Sequence, residues 1–454
     1  MSIHKIFLLS LLAIGLASCQ QWTEAPVSKH QLEDHQVFAD STMATSALLG
    51  IYHHLGTPTG ATYVNTKYLS LYADEYQYTA ANTDILQFAQ SRLADNNSHN
   101  AAIWNSCYSA IYQANALIDG LKETNITAQG RQQLIAEARF LRGFAYFYLW
   151  QLFENIPLLL QTDLQQNRLA IQVSPEAIVA QILQDLEHAK ANLSPSYRGS
   201  GRNRANQSAA SAMLARFHLY QKDWTRAISE SSLVITGSSY ELTRPEDTFL
   251  AGSKEAILQF WSANGFVPDA STFVPASATV LPTYTLSESF YQQFGASDTR
   301  RDKWIGRNTV TTAGVTKAHY YPSKYKNRAA STTRAEHVMV LRLAEQYLIR
   351  AEALAQLERS SEAQADLNKV RQRSSASQYT SPLDQQQLLT AIAKERQLEL
   401  FGEWGHRLLD LKRTGQLDAV LGGKPDWDSR RNRRFPIPAN ELIYNPNLKQ
   451  NEGY

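Results

Sequence analysis

Apolar residues recur at intervals of three and four positions along most of the chain, the spacing that places them on one face of an α-helix. Residues 103–122, for example, carry an apolar stripe that runs from Ile103 to Ile118. Helical periodicity begins near residues 46–52, and Pro157 ends one long segment. The predicted helices cover residues 103–122, 131–153, 174–192, 206–221, 223–235, 338–357, 361–374 and 384–402. The pattern therefore predicts a mainly α-helical protein.

Two of the predicted helical pairs resemble each other. Ala215–Ala227 and Ala351–Ala363 each contain a helix, a short turn and the start of a second helix, with the same spacing between the outer alanines. Small residues at these positions let two helices approach closely, as tetratricopeptide-like hairpins require. Such hairpins stack and leave a concave surface.

Residues 238–336 interrupt the helical pattern. They are rich in Thr, Ser, Gly and Pro, and residues 255–261 are predicted to form a short strand. The many aromatic residues of this segment argue against disorder. We therefore expect an irregular, mixed α/β insertion subdomain between an N-terminal helical scaffold (41–237) and C-terminal helical hairpins with a closing segment (337–454).

The N-terminus has the pattern of an export signal. Lys5 precedes an almost wholly apolar run from Ile6 to Ala17, which small residues and Cys19 close. The run is too short to span a membrane. It predicts a signal peptide (1–18), a diacylated Cys19 and a lipidated tether (19–40) that anchors the protein to a membrane. The alternative is an ordinary secretory signal with an incidental cysteine.

Composition excludes several classes of function. A net charge of +2 gives no case for nucleic-acid binding, which needs a strong basic excess. If Cys19 is acylated, Cys107 has no disulfide partner, and its apolar surroundings predict a buried thiol. No metal or cofactor is expected: the adjacent His53 and His54 would point to different faces of a helix, and no phosphate-binding glycine loop, serine nucleophile elbow or HExxH motif occurs.

Six blocks in order, from about residue 100 to the last residue, resemble the SusD/RagB-like family of outer-membrane nutrient-binding lipoproteins. They contain Trp104, Tyr108 and Leu117-Ile118; Ala136–Arg142 with Tyr146-Phe147; Arg204–Asn206 with Ala212–Arg216; Leu341–Glu345 with Tyr347–Ala353; Glu395-Arg396 with Glu403–Arg407; and Pro436–Pro438 with Asn445-Pro446 and Gly453-Tyr454.

The resemblance implies a tetratricopeptide-like scaffold that acts as a lid on a SusC-like TonB-dependent transporter. Such a protein captures a nutrient, often an oligosaccharide and in some members a peptide, and performs no covalent chemistry. It would be lipid-anchored in the bacterial outer membrane and face the cell surface. Residues 20–24 lack the acidic cluster that often accompanies surface export, so surface exposure is implied by the resemblance and not by the tether.

Charged residues within these blocks admit two interpretations. Glu395, Glu403 and His406 would form an acid/base site in an enzyme. We favour ion pairs that fix how the terminal helices pack, because buried charges must be paired. The same interpretation applies to Arg139, Arg142, Arg342 and Glu345.

Sugar rings are recognised by flat aromatic side chains beside polar groups, and two stretches supply both. The resemblance implies that a ligand lies where an early loop meets the later irregular region, and both stretches match that placement. Tyr68 and Tyr72 are expected to be core residues, so Tyr76 or Tyr78 would have to serve as the early platform. The candidate ligand-binding residues are Asp74, Tyr76, Tyr78, Arg92 and Asn96 in the first stretch and Trp261, Phe266, Tyr284, Trp304, Tyr320 and Tyr321 in the second.

Three alternatives remain open at this point. The ligand is a peptide held through main-chain hydrogen bonds, or the helical repeats bind only another protein. The third alternative is a surface enzyme.

Overall fold

A computed structural model describes residues 38, 40–57, 61–122 and 124–454, without the side chains of residues 61–65. The predicted signal peptide, Cys19 and nearly all of the tether lie outside the described residues.

The described part of the chain is mostly helical, as predicted. The helices are α1 (Ser41–Gly56), α2 (Ala61–Tyr72), α3 (Thr83–Ala89), α4 (Ser98–Gly120), α5 (Ala128–Phe153), α6 (Leu164–Arg168), α7 (Pro175–Asn192), α8 (Gln207–Tyr220), α9 (Trp224–Ile235), α10 (Pro268–Phe273), α11 (Glu288–Tyr291), α12 (Arg300–Lys303), α13 (Leu343–Gln356), α14 (Ser360–Arg373), α15 (Gln385–Leu400), α16 (His406–Arg413), α17 (Leu417–Leu421) and α18 (Ala439–Tyr444).

Side-chain caps set the helix starts. The Asn97 side chain accepts hydrogen bonds from the first turn of α4, so this helix begins five residues before the predicted position. Asp384 and Gln387 form a capping box at the start of α15, and Pro175 occupies the first position of α7. Each device satisfies or removes a backbone N–H that has no partner within the helix.

The two similar helical pairs are the hairpins α8–α9 and α13–α14. Their turns match residue for residue: Lys222 and Glu358 both have φ 59°. Asp223 N donates to His218 O, and Arg359 N donates to Leu354 O, both at 2.9 Å. Helix α9 packs against α13, so the hairpins stack on each other.

In the part of the chain that the structure describes, six strands form three antiparallel pairs. The strands are β1 (Gln77–Tyr78), β2 (Ala256–Phe260), β3 (Tyr284–Thr285), β4 (Ile305–Thr312), β5 (Val315–Pro322) and β6 (Val338–Arg342). The pairs are β1–β3, β2–β6 and β4–β5. Four of these strands and the helices α10–α12 lie within residues 238–336, which confirms the mixed composition of this segment and the predicted strand at 255–261.

Residues 338–342 were predicted to begin a helix, and this is wrong. They form β6, in which all five residues are buried. Val338 lies opposite Phe260 of β2, and Arg342 lies opposite Ala256. The partner strand, more than 75 residues away in the sequence, therefore decides the conformation of this segment.

A large core cluster runs from Ala44 to Leu448 and includes residues of the insertion as well as of the helices. A second cluster joins α13, α14 and α15. Cys107, Tyr68 and Tyr72 are buried, as predicted. None of the described helices is long and apolar enough to cross a membrane.

The charged residues of the terminal blocks form buried ion pairs. Arg342 contacts Glu255, Glu399 and Glu403, and Arg300 contacts Glu395 and Glu399. The same arrangement recurs in three further pairs: Arg396 with Asp410, Arg216 with Glu345, and Arg142 with Asp185. These contacts confirm the ion-pair interpretation.

Arg139 is an exception to that interpretation. It has no ion pair within the described residues, and its buried Nε has no hydrogen-bond partner.

His406 lies 4.0 Å from Glu345. Burial is the main cause that holds the pKa of His406 well below its usual value, and the positive charge of the nearby Arg216 adds to it. The imidazole is therefore neutral at physiological pH.

Candidate ligand-binding site

The two aromatic stretches meet at the β1–β3 pair, where Tyr78 lies opposite Tyr284. Tyr76, Tyr78, Phe273 and Tyr284 form a cluster with ring centroids 5.3 to 6.5 Å apart. Tyr76 and Tyr284 are buried, and Tyr78 is half-buried. These rings pack mainly on one another, so the junction offers little flat aromatic surface to solvent.

The polar candidates of the early stretch are dispersed. Both carboxylate oxygens of Asp74 accept hydrogen bonds from Arg407 at 2.7 Å. Arg92 is exposed and lies 4.0 Å from Asp426, and Asn96 is exposed. The carboxylate of Asp74 is thus engaged by a cation of the protein itself.

Most aromatic candidates of the insertion are covered. Trp304 has no exposed surface, and its Nε1 donates to Pro245 O at 2.8 Å. Tyr320 is buried and stacks on Tyr291 at 3.9 Å. Phe266 and Tyr321 are half-buried. All four are therefore buried or half-buried in this structure.

Trp261 differs from the other aromatic candidates because 55% of its surface is exposed. It directly follows β2 and stands beside a groove with a volume of about 460 Å³. The groove is lined by Leu49, Tyr52, His53, Arg198, Gly199, Ser200, Asn203, Arg204 and Trp261. We call this the Trp261 groove.

One wall of the Trp261 groove is α1, held against β2 by close packing. The ring of Tyr52 packs edge-on against Phe260 with centroids 6.1 Å apart. A Cβ at Gly56 would lie 3.0 Å from the Cβ of Phe260, so glycine allows this approach without a shift of Phe260. Trp261 follows Phe260, and this packing therefore places Leu49 and His53 beside the indole.

The opposite wall is the loop 198–204, which hydrogen bonds tie to β2. Arg202 Nη1 donates to Ala256 O at 2.6 Å, and Gln259 N donates to Arg202 O at 2.9 Å. The Tyr197 hydroxyl donates to Ile257 O at 2.7 Å. These contacts fix both the start and the middle of the loop, so Arg198, Asn203 and Arg204 line the groove.

A buried carboxylate organises the base of the groove. Arg204 donates to both oxygens of Glu137, at 2.7 and 3.0 Å. The Tyr52 hydroxyl donates to Glu137 and accepts from Ala205 N. Burial and the nearby Glu137 raise the pKa of Tyr52 well above its usual value. Tyr52 therefore stays a neutral donor, and Glu137 holds Arg204 in position.

The resulting surface suits binding. It combines an exposed indole with guanidinium and amide groups, which can stack on an apolar ring face and hydrogen-bond to its polar rim. His53 lines the groove, whereas His54 contacts Ser106 O at 3.1 Å, so the two histidines point apart as predicted. No group of possible metal ligands was found within the described residues.

Sequence reasoning identified only Trp261 among these residues. It missed Leu49, Tyr52 and His53 of α1 and Arg198, Asn203 and Arg204 of the loop. The loop did carry a signal, because residues 198–204 contain two glycines and three arginines between two predicted helices. Nothing in the sequence indicated that this loop lies beside the residue that follows β2.

A second cavity, of about 540 Å³, lies between the end of α13 and the helices α15, α16 and α17. Its charged residues are already paired: Arg413 contacts Glu352, Arg396 contacts Asp410, and Arg407 contacts Asp74 outside the cavity. Among the described residues, no aromatic side chain lines it. The Trp261 groove is therefore the better site for a ligand that stacks.

Comparison with known proteins agrees with this fold. A family model described as SusD family matches residues 315–454, and one described as starch-binding, associating with outer membrane, matches residues 28–219. A SusD-like protein of Formosa agariphila is 26% identical over 420 residues, which cover 77% of this chain and 79% of that protein. The starch-binding protein SusD of Bacteroides thetaiotaomicron is 30% identical over 151 residues, which cover 31% of this chain and 26% of that protein.

The fold has solved counterparts. A laminarin-binding SusD-like protein superposes with a TM-score of 0.78 at 24% identity, covering 92% of this chain and 100% of that one. The described chain is thus a helical-hairpin protein with a mixed α/β insertion, the architecture of these structures. The chain belongs to the SusD/RagB-like family, which confirms the resemblance found in the sequence.

Proposed function

We propose that the protein is a non-catalytic binding lipoprotein of the bacterial outer membrane that captures an oligosaccharide in the Trp261 groove. Membership of the SusD/RagB-like family supports this function. The matched family description names starch binding and association with the outer membrane, and one relative of the same fold is described as laminarin-binding.

The proposal includes the anchor and the partner. Cys19 would carry the acyl chains, and the protein would face the cell surface on its tether. It would deliver the bound oligosaccharide to a SusC-like TonB-dependent transporter. The short apolar segment that small residues and Cys19 close supports the anchor, and the family supports the partner.

The observation that supports an oligosaccharide as the ligand is the exposure of Trp261 beside polar groups of the groove. The exposed indole, with 55% of its surface accessible, offers a flat apolar face on which a ligand ring can stack. Asn203 and Arg204 supply hydrogen-bonding groups next to it. A sugar ring, apolar on its faces and polar at its rim, matches this combination.

Trp261→Ala is expected to raise the Kd for a bound oligosaccharide by about tenfold or more, because an aromatic platform contributes at least about 1.4 kcal/mol. Calorimetric titration of the mature lipoprotein in detergent, with laminari-, malto- and cello-oligosaccharides and short peptides, measures this. Trp261→Phe should retain part of the affinity. Tyr444→Ala is the control. It removes an aromatic ring that is 63% exposed outside the groove, and it should leave the Kd unchanged.

The other outcomes identify the alternatives. Binding of peptides alone would favour a peptide-binding member of the family. Binding of no small ligand, with transport unchanged in Trp261→Ala, would favour a helical-repeat protein that contacts only another protein. Turnover of a bound oligosaccharide would contradict the non-catalytic assignment.

A further inference from the structure

The charge of the Trp261 groove is positive. Two arginines and one histidine line it, and no carboxylate does so among the described residues. The chain as a whole is nearly neutral, with a net charge of +2, so the positive charge of the groove is a local feature. A positive, partly enclosed surface attracts anionic ligands.

The nearest carboxylate cannot neutralise the whole groove. Glu137 is fully buried, and its two oxygens already accept hydrogen bonds from Arg204 and Tyr52. The pair formed by Glu137 and Arg204 is therefore neutral overall. The uncompensated charge of the groove is that of Arg198.

Arg198 is exposed and makes no ion pair or hydrogen bond with the described residues. Its position is nevertheless fixed, because the preceding Tyr197 is bound to Ile257 O and to the Tyr240 hydroxyl. On the other side Gly199 has φ 81°, a conformation that glycine adopts without strain. The loop thus holds the base of Arg198 at the groove while its guanidinium has no partner among the described residues.

We propose that the Trp261 groove is specific for an oligosaccharide that carries negative charge, as uronic carboxylates or sulfate esters. This inference rests on the proposed function. One sugar ring stacks on Trp261, and an anionic substituent accepts hydrogen bonds from the Arg198 guanidinium. Arginine is suited to this role because its planar fork binds carboxylate and sulfate oxygens in pairs.

Matched pairs of oligosaccharides test the charge preference. Oligogalacturonide is compared with its methyl-esterified, uncharged form, and κ-carrageenan oligosaccharide with its desulfated form, by calorimetric titration of the mature lipoprotein in detergent. In at least one pair we expect the charged member to bind about tenfold tighter, the factor that corresponds to one charge-assisted contact. The pair in which this happens distinguishes a carboxylate from a sulfate. The difference in Kd between the charged and the uncharged member should decrease as salt is added, because salt screens the charges.

Arg198→Gln tests whether the preference for charged oligosaccharides arises in the groove. We expect it to weaken binding of the charged member about tenfold and to leave the uncharged member unchanged. Arg430→Gln, which removes the same charge from a side chain that is 79% exposed outside the groove, is the matched control and should change neither.

Each remaining outcome overturns the inference in a recognisable way. Equal binding within both pairs, lost in Trp261→Ala, would overturn the charge preference and leave oligosaccharide capture intact. A charge preference that survives Arg198→Gln would place the anion elsewhere. Binding of neither pair, together with binding of poly-glutamate, would overturn both proposals in favour of an acidic peptide.

Discussion

Glu75 lies fully buried next to Asp74, whose own carboxylate is held by Arg407. One oxygen of Glu75 accepts from Gly402 N at 3.3 Å, and the other has no hydrogen-bond partner among the described residues. Burial, with a smaller contribution from Asp74, raises the pKa of Glu75 from 4.5 to about 7. Below about pH 7 the folded protein therefore favours the protonated, uncharged side chain.

This pKa predicts a pH-dependent effect of Glu75→Gln. Because the folded-state pKa lies above the unfolded-state value, the stabilising contribution of Glu75 is complete below about pH 4 and is lost as the pH rises through about 7. At pH 8 the substitution should raise the free energy of unfolding by up to about 3 kcal/mol, and near pH 4 it should have little effect.

Urea denaturation at about pH 4 and about pH 8 measures how much Glu75→Gln changes the free energy of unfolding. Glu452→Gln, an exposed substitution, is the control and should be neutral at both. If Glu75→Gln raises the free energy of unfolding equally at both pH values, ionisation of Glu75 is not the cause of the increase.

At the scale of secondary-structure elements, the two stacked hairpins share one turn geometry. Lys222 and Glu358 are exposed and both adopt φ 59°, a left-handed conformation in which the Cβ of any L-residue is strained. Glycine is the usual residue at this position after a helix. The hairpins therefore carry the same small strain at equivalent sites.

Lys222→Gly and Glu358→Gly should each raise the free energy of unfolding by about 0.5–1 kcal/mol, since relief of the strain exceeds the added flexibility of the unfolded chain. The midpoint of urea denaturation measures the gain. Lys222→Ala keeps the strain and should leave the midpoint nearly unchanged, whereas Lys222→Val should lower it. A loss of stability with glycine at both turns would refute the argument.

At the scale of the whole molecule, a buried ion network joins the insertion to the C-terminal helices. Glu399 of α15 contacts Arg300 of the insertion at 2.6 Å and also contacts Arg342 of β6 and Arg373 of α14. Burial alone would raise the pKa of Glu399, but the three guanidinium groups together lower it below its usual range. The carboxylate thus holds together elements that lie far apart in the sequence.

Glu399→Gln should lower the free energy of unfolding by about 3 kcal/mol or more, because it leaves buried arginines without their counter-charge. Glu362→Gln is the matched control. It breaks an exposed contact of 2.7 Å with Arg359 and should cost less than about 0.5 kcal/mol. Equal effects of the two substitutions, measured by thermal denaturation, would mean that the buried network does not stabilise the fold.

Much of the fold follows from short-range patterns. Apolar spacing predicted the long helices, and the paired alanines predicted the hairpins, because both features depend on residues within one or two helical turns. The segment 338–342 was mistaken for helix because its conformation depends on β2, a partner from a distant part of the chain. The start of α4 differed from the predicted position because a single capping side chain, that of Asn97, sets it.

The sequence by itself determined the family, the helical class and the presence of aromatic and polar groups suited to a ligand. Only the tertiary structure decided which of them reach solvent. Trp261 and Trp304 both lie in the irregular insertion, and no local pattern separates them. Phe249, Phe401 and Lys324 cover Trp304, whereas Trp261 stays exposed beside Arg198 and Arg204. Burial depends on what distant segments place over a side chain, and that is set when the whole chain has packed.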